Sequence, residues 1–498
     1  MTKWKIHSAL PALVLAGMAL SVMGCSETGL VGVALDEDVA TGGEDIQMAM
    51  ARGSNSEVTD VMTVGDGYKY VLLSSTDDIL NSGTATNEMN VSIANWPQNW
   101  VNDQWEQGFE AIWSGLKVVN NAMDGFSEER FLTHPLVARG YLNSAHGERL
   151  MGDMFCYAAY GFDHEGGQSL GNLGSDEPRE AGPVGKDSVF TRMATFAELA
   201  LAQAERAVAA NEPNPANEGV LSDGHFDPQR LVIASHGAAA QAYHALASLG
   251  VDPTTNWGLA VQHAAEVPTD FVEVTIHDEL VEINELWDIS WDNDDVTLYS
   301  EADATRPEGF VGVPATFLWL DDPRVEVADC TNDPNPGGCW RFGRDAEGAE
   351  DFPRWVPLKY PDRGADDEMV TGTEMRLIEA EEALVQGGDF TTFYNKIDEV
   401  RAFYGALPTA RPLVVGDFEW PNAEDDAMSI LDRERYLTMW MEGRRMFDLY
   451  RWNHPFITNN EGLIQRHDDL LATVTRVACA PVAETECGLN PLMAEVCN

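Results

Sequence analysis

Basic residues are scarce in this chain. Its 498 residues include 31 Lys plus Arg against 82 Asp plus Glu, a formal net charge of −51. A surface of that sign repels nucleic acid and anionic lipid head groups, so neither is expected as a partner. It suits a solvated body in salty water, where self-repulsion is screened. Long apolar runs are absent beyond the first two dozen residues, which leaves no other candidate for a membrane span. No C-x-x-C occurs, so a structural zinc site is not expected. H-E-x-x-H, G-x-S-x-G and G-x-G-x-x-G are missing as well. The stretch "GPVGKDS" (182–188) lacks both the spacing of a phosphate loop and the Ser or Thr that should follow Lys186. No cofactor, metal centre or catalytic residue is expected, although a glycosidase-type pair of carboxylates is not excluded by a chain with 82 acids.

The N-terminus carries a signal of another kind. "MTKWKIH" is a short basic segment, and "SALPALVLAGMALSV" is an apolar stretch too short to span a bilayer comfortably. Val22, Met23, Gly24 and Cys25 follow and resemble a bacterial lipobox. Residues 1–24 then read as a lipoprotein signal peptide and Cys25 as the acylated first residue. Several acyl chains on Cys25 would anchor the protein stably. Residues 25–45 are small, acidic and poor in aromatics, as a flexible tether would be. Residues 46–498 form the folded body. Besides Cys25 there are six cysteines in a compartment that permits disulfides, with 15 possible connectivities. Cys330 and Cys339 flank a turn-rich loop and are the best local pair. Cys479, Cys487 and Cys497 lie near the C-terminus. Cys156 sits in an apolar helical pattern and reads as a buried free thiol.

The periodic segments are mostly helical. Residues 100–123 place Trp105, Phe109, Ile112, Leu116 and Val119 at steps of three and four. Further helices are expected over 134–161, 189–210, 227–250 and 254–267. Asp227 and Pro228 open the fourth of these, and Gly250 closes it. Residues 161–189 form a long loop with seven glycines. Small residues such as Ala238, Ala239, Ala240, Ala245 and Ala260 recur where helices can approach closely. The expected fold is mainly all-α, with tetratricopeptide-like helix pairs forming a right-handed scaffold. Within 46–498 the helical part 46–270 precedes a loop-rich middle, 271–372, and a C-terminal part, 373–498. Long irregular insertions would carry the ligand site. "TEMRLIEAEEALVQ" and "FTTFYNKIDEVRAFYG", joined by "GGD", fit a helix hairpin.

That hairpin, together with "ILDRERYLTMWMEGRRMFDLYRW" at 430–452, resembles the SusD/RagB family of nutrient-binding surface lipoproteins. Supporting pieces are "DDPR" at 321–324, "LKY" at 358–360 and "CAPVAETECGLNP" at 479–491. The resemblance implies a lipid-anchored outer-membrane protein facing the cell surface. It also implies a SusC-like TonB-dependent transporter as partner and a cargo of oligosaccharide, with peptide as the alternative. Rival readings are a surface glycan hydrolase using an Asp/Glu pair and a purely structural scaffold.

Residues 430–452 concentrate arginine in an apolar stretch. On one continuous helix Ile430, Glu434, Leu437, Met441, Arg445 and Asp448 share a stripe. Arg445 and Arg444 would each pair with Asp448 within the helix, and Glu434 would need a partner from another helix. A buried charge must be paired. Glu434, Arg444, Arg445 and Asp448 are therefore read as a structural ion network and not as a ligand site. For the ligand, aromatic faces suit the apolar C–H faces of sugar rings, and amides suit their hydroxyls. Two stretches qualify: 95–105, with Trp96, Asn99 and Trp100, and 286–299, with Trp287, Trp291, Asn293 and Tyr299. "DISWDNDD" within the second lacks the spacing of a calcium loop.

Overall fold

The computed structural model describes residues 44–63, 98–160, 182–213, 225–275, 355–360, 364–416, 426–454 and 479–489, with short stretches and single residues between them. Helices α1 (Glu44–Thr63), α2 (Gln98–Gly125), α3 (Glu128–Thr133), α4 (Pro135–Met154), α5 (Lys186–Ala209), α6 (Pro228–Ser248) and α7 (Pro253–Ala264) make up the first half. Helices α8 (Gly372–Glu382), α9 (Phe390–Phe403), α10 (Ala427–Thr438), α11 (Arg445–Arg451) and α12 (Glu484–Leu489) make up the second. Packing follows chain order: α1 on α2, α2 on α4, α4 on α5, α5 on α6, α6 on α7, α7 on α8, and α8 on α9. Apart from α3, the helices from α2 to α8 thus each bury one face on the helix before and another on the helix after, the arrangement of stacked helix pairs.

Local chemistry sets several boundaries. The Asp227 side chain accepts from the backbone N–H groups of Gln229 and Arg230, and Pro228 occupies the first turn of α6. Gly250, at φ 80°, reverses the chain after that helix. Closeness is set by absent side chains. A Cβ on Gly115 of α2 would strike the Gly140 carbonyl and Ser144 of α4, and one on Gly140 would strike the Gly115 carbonyl. Ala238, Ala239, Ala240, Ala245 and Ala260 are all buried where α6 meets its neighbours.

Strands are short and paired. They are β1 (Leu80–Asn81), β2 (Tyr157–Ala158), β3 (Val184–Gly185), β4 (Val272–Val274), β5 (Val296–Thr297), β6 (Val327–Asp329), β7 (Trp355–Pro357) and β8 (Glu368–Thr371). The antiparallel pairs are β1–β5, β2–β3, β4–β8 and β6–β7. The β4–β8 pair, with Val272 opposite Thr371, joins the first helical half to the start of α8. Among the described residues no helix is long and apolar enough to cross a membrane.

Three expectations need correction. The helix expected over 134–161 ends at Met154. There the chain turns to pair with the C-terminal segment: Phe155 bridges Ala480, and Ala480 N–H donates to Met154 O at 2.8 Å. Cys156 is not a free thiol. It is bonded to Cys479, with the Cα atoms 5.2 Å apart, and Cys487 is bonded to Cys497. Apolar surroundings look alike for a free thiol and a disulfide, so local sequence did not separate them. Third, 430–452 is not one helix. Helix α10 ends at Thr438, Met441 and Gly443 take φ of 63° and 72°, and α11 begins at Arg445. The turn is buried throughout, so apolar residues continue across it and mimic an uninterrupted helix. Cys330 and Cys339 lie outside the described residues.

Candidate functional site

The described part of the molecule is organised around the broken helix α10–α11. Four separated pieces of sequence converge on it. From "DDPR", Arg324 donates to Glu434 at 2.8 Å and to the Thr438 hydroxyl at 3.0 Å. From "LKY", Lys359 donates to the Trp440 carbonyl at 2.9 Å and pairs with Glu442. Tyr360 donates its hydroxyl to the Met441 carbonyl at 2.9 Å. These bonds occupy the backbone groups that a continuous helix would have satisfied internally. From α9, Arg401 reaches Glu434 at 2.5 Å. From the start of α8, Glu374 meets Arg444 at 3.4 Å.

Every charge on this turn has a partner. Glu434 is wholly buried and takes Arg324, Arg401 and Arg433. Arg445 pairs with Asp432, which also meets His454 at 3.1 Å. Asp448 takes Arg435 at 2.9 Å and Arg451 at 2.8 Å. Arg444 faces Asp153 at 3.6 Å. The pairings therefore differ from those expected on a single helix: Asp448 binds Arg435 and Arg451 in place of Arg444 and Arg445. The break rotates α11 against α10, so Arg435–Asp448 and Asp432–Arg445 pair across the turn, while Arg451 meets Asp448 within α11.

Electrostatics follow from these pairings. Burial pushes the Asp432 carboxyl up, but Arg445 and His454 outweigh it and hold it below the ordinary carboxylate range. The same balance lowers Asp448 through Arg435 and Arg451, and Glu381 through Arg451 and His244. Glu273 on β4 is lowered by Arg139, His225 and Arg230 against its burial. Asp153 goes the other way: burial raises it, and Arg444, Arg149 and Lys186 recover only part of that. Burial lowers Lys186 to about 7.

None of this geometry suits a sugar. Arginine and carboxylate groups are spent on one another, and two internal cavities beside α4 measure about 20 Å³ each, room for water but not for a pyranose ring. Of the residues read as ligand-binding, Asn99 and Trp100 fall in the first turn of α2. Trp96, Trp287, Trp291 and Tyr299 lie outside the described residues, as does Asn293. Between Trp291 and Tyr299, Val296–Thr297 forms β5, which pairs with β1 and packs near β7. Cys25 and its lipobox also lie outside the described residues.

Residues that the sequence reading missed are Arg149 and Asp153 on α4, and the Arg139–Glu273–Arg230 cluster. One signal was present. Arg139, Asn143, His146, Arg149 and Asp153 recur at steps of three and four, a polar stripe in a segment otherwise made for burial.

A family model described as "SusD family" matches residues 373–478, which cover the α8–α9 hairpin and the broken helix. No curated protein sequence matches the chain. Solved structures resemble it over most of its length. A chitin-binding SusD homologue from Flavobacterium johnsoniae is 14% identical, with 90% of this chain and 95% of that chain covered and a TM-score of 0.62. A SusD homologue from Bacteroides thetaiotaomicron is 13% identical over 92% and 98%, with a TM-score of 0.60. A protein solved with a xylogluco-oligosaccharide is 11% identical over 89% and 97%, with a TM-score of 0.54. At these identities the structural likeness establishes the fold, and the family model adds the sequence pattern of the turn that organises it. Residues 373–478 thus carry the sequence pattern of the SusD family, on a fold shared with solved SusD homologues.

Proposed function

We propose that this protein is a non-catalytic, surface-exposed lipoprotein that captures a nutrient glycan and passes it to a SusC-like TonB-dependent transporter. The observation that carries the reading is the fold. It matches a chitin-binding SusD homologue over nine-tenths of this chain, and a second protein of the same fold was solved with a xylogluco-oligosaccharide. Spent charges in the core leave the aromatic stretches 95–105 and 286–299 as the grip on cargo. Flat rings stack on sugar faces, and Asn99 and neighbouring amides take hydroxyls. Trp96, Asn99, Trp100, Trp287, Trp291 and Tyr299 are the residues proposed to line that grip. Cys25 is proposed as the lipid attachment point at the outer membrane.

The test is a binding and product assay on purified protein against a glycan panel that includes chitin and xyloglucan oligosaccharides. Retention of at least one glycan with its length unchanged is the expected result. Shortened products would establish the hydrolase reading instead. Failure to bind any glycan or peptide would leave a scaffold. Co-purification of a β-barrel transporter with the native protein tests the partner, and release from membranes by Cys25→Ala tests the anchor.

A further inference from the structure

Helix α4 is buried on every side except at Tyr141, yet one stripe of it is polar: Arg139, Asn143, His146, Arg149 and Asp153. Two cavities of about 20 Å³ lie along that stripe. The first is lined by Asn55, Asn143, His146 and Thr275 among others. The second is lined by Arg149, Asp153, Gln241, Glu374, Arg435 and Arg444 among others.

Polar atoms of both linings lack a protein partner. His146 is 2% exposed, and neither of its ring nitrogens has a hydrogen bond; the Asn55 amide nitrogen beside it is in the same position. At the second cavity Arg149 Nε, Arg435 Nη1 and Gln241 Oε1 are unbonded, in side chains 2%, 3% and 5% exposed. A buried polar atom left in this state loses its hydration without replacement, which is destabilising. Three of the charge contacts around the second cavity are also long. Arg149–Asp153 is 3.7 Å, Arg444–Asp153 3.6 Å and Arg444–Glu374 3.4 Å. Elsewhere in the core Arg139–Glu273 closes to 2.7 Å and Arg324–Glu434 to 2.8 Å. Charges separated in this way are commonly bridged by a water.

We propose that the polar stripe of α4 is completed by two internal water molecules, one in each cavity. The second accepts from Arg149 Nε and Arg435 Nη1 and donates to Gln241 Oε1. The first accepts from the Asn55 amide and donates to one ring nitrogen of His146. Each volume exceeds the roughly 10–15 Å³ that one water requires. Charge balance selects water over an ion. Arg149 and Arg444 face Asp153 and Glu374, and Arg435 is matched by Asp448 at 2.9 Å, so the charged side chains that line the second cavity are matched without an ion. The ligand must both accept and donate, which water does and a halide does not. The water next to Gln241 sits one side chain from the Met369 carbonyl, which already takes Arg149, Gln241 and Arg444. It therefore ties α4, α6, β8 and the turn before α11 at one point.

The test is a high-resolution crystal structure of the whole protein from crystals soaked in bromide. The expected result is water-like density within hydrogen-bond distance of Arg149 Nε and Gln241 Oε1, a second such peak at His146, and no anomalous signal at either. Absence of density, or a bromide peak, overturns the proposal. Thermal melting of His146→Leu gives an independent reading. In a dry cavity that substitution removes unsatisfied atoms and raises the melting temperature. In a hydrated one it strands the water, and a fall of about 2 °C or more is expected. An unchanged or higher melting temperature overturns the proposal.

Discussion

Arg324 donates to Glu434 at 2.8 Å across 110 residues of chain, and both side chains are almost fully buried. Three guanidinium groups share that one carboxylate. Glu434→Ala would take a shared counter-charge from all three, leaving Arg401 and Arg433 with neutral acceptors while Arg324 keeps Asp322, and a loss of about 3–5 kcal/mol is expected. Arg411→Ala is the contrast. Its pair with Asp398 is half exposed, so the change should cost less than about 1 kcal/mol. Urea unfolding of the two variants measures both.

The depressed carboxyls give the acid side of stability. Asp432, Asp448, Glu381 and Glu273 all sit below their ordinary values when folded. The unfolded chain therefore takes up protons first as pH falls. Their contribution is complete above the unfolded values of about 4 and is lost as pH drops through the lower folded ones. Urea midpoints should fall steadily below about pH 4.5. Asp432→Asn should be less stable than the parent at neutral pH, and the gap should narrow toward pH 3 or so. A gap independent of pH would refute this account of Asp432.

The two disulfides should differ in weight. Cys156–Cys479 closes 323 residues and Cys487–Cys497 only 10. Chain entropy alone makes the first stabilise by about 3 kcal/mol more at 25 °C. Paired Cys→Ser variants at each bridge, unfolded in urea, should show that order. The first variant should also free the 479–489 segment from α4, detected as faster amide exchange at Ala480.

Helix contact at Gly115 and Gly140 leaves no room for a methyl group. Gly115→Ala should lower stability by about 1–3 kcal/mol although alanine favours helix. Gly258→Ala on α7, where a Cβ meets nothing, should be neutral or stabilising by up to roughly 1 kcal/mol. Melting temperatures of the pair decide between crowding and propensity.

Loss of one stacking ring should weaken glycan binding without unfolding the protein. Trp100→Ala and Trp291→Ala should each cost about 0.5–1.5 kcal/mol of affinity, roughly two- to tenfold. Titration calorimetry against the retained glycan reads this directly, with the melting temperature as control.

Several features were written locally. Asp227, Pro228 and Gly250 mark the ends of α6 through bonds made within a few residues, and the apolar steps from Trp105 to Val119 follow from α2 having one face on its neighbours. The turn at 439–444 was not legible in that way. Its residues are buried on all sides, so apolar periodicity runs through it unchanged, and its backbone groups are satisfied by Lys359 and Tyr360 from some 80 residues away. The bond from Cys156 to Cys479 escaped for the same reason, since a cysteine carries no local mark of a distant mate.

The sequence by itself determined the helical class, the family pattern of 373–478 and the need to pair its arginines inside, because periodicity, capping and the cost of a bare buried charge act over a turn or less. Only the tertiary structure decided which acid each arginine met. A one-turn break between α10 and α11 reoriented the side chains beyond it, so that Arg445 met Asp432 and Asp448 met Arg435 across the turn, and only Arg451–Asp448 kept a local spacing.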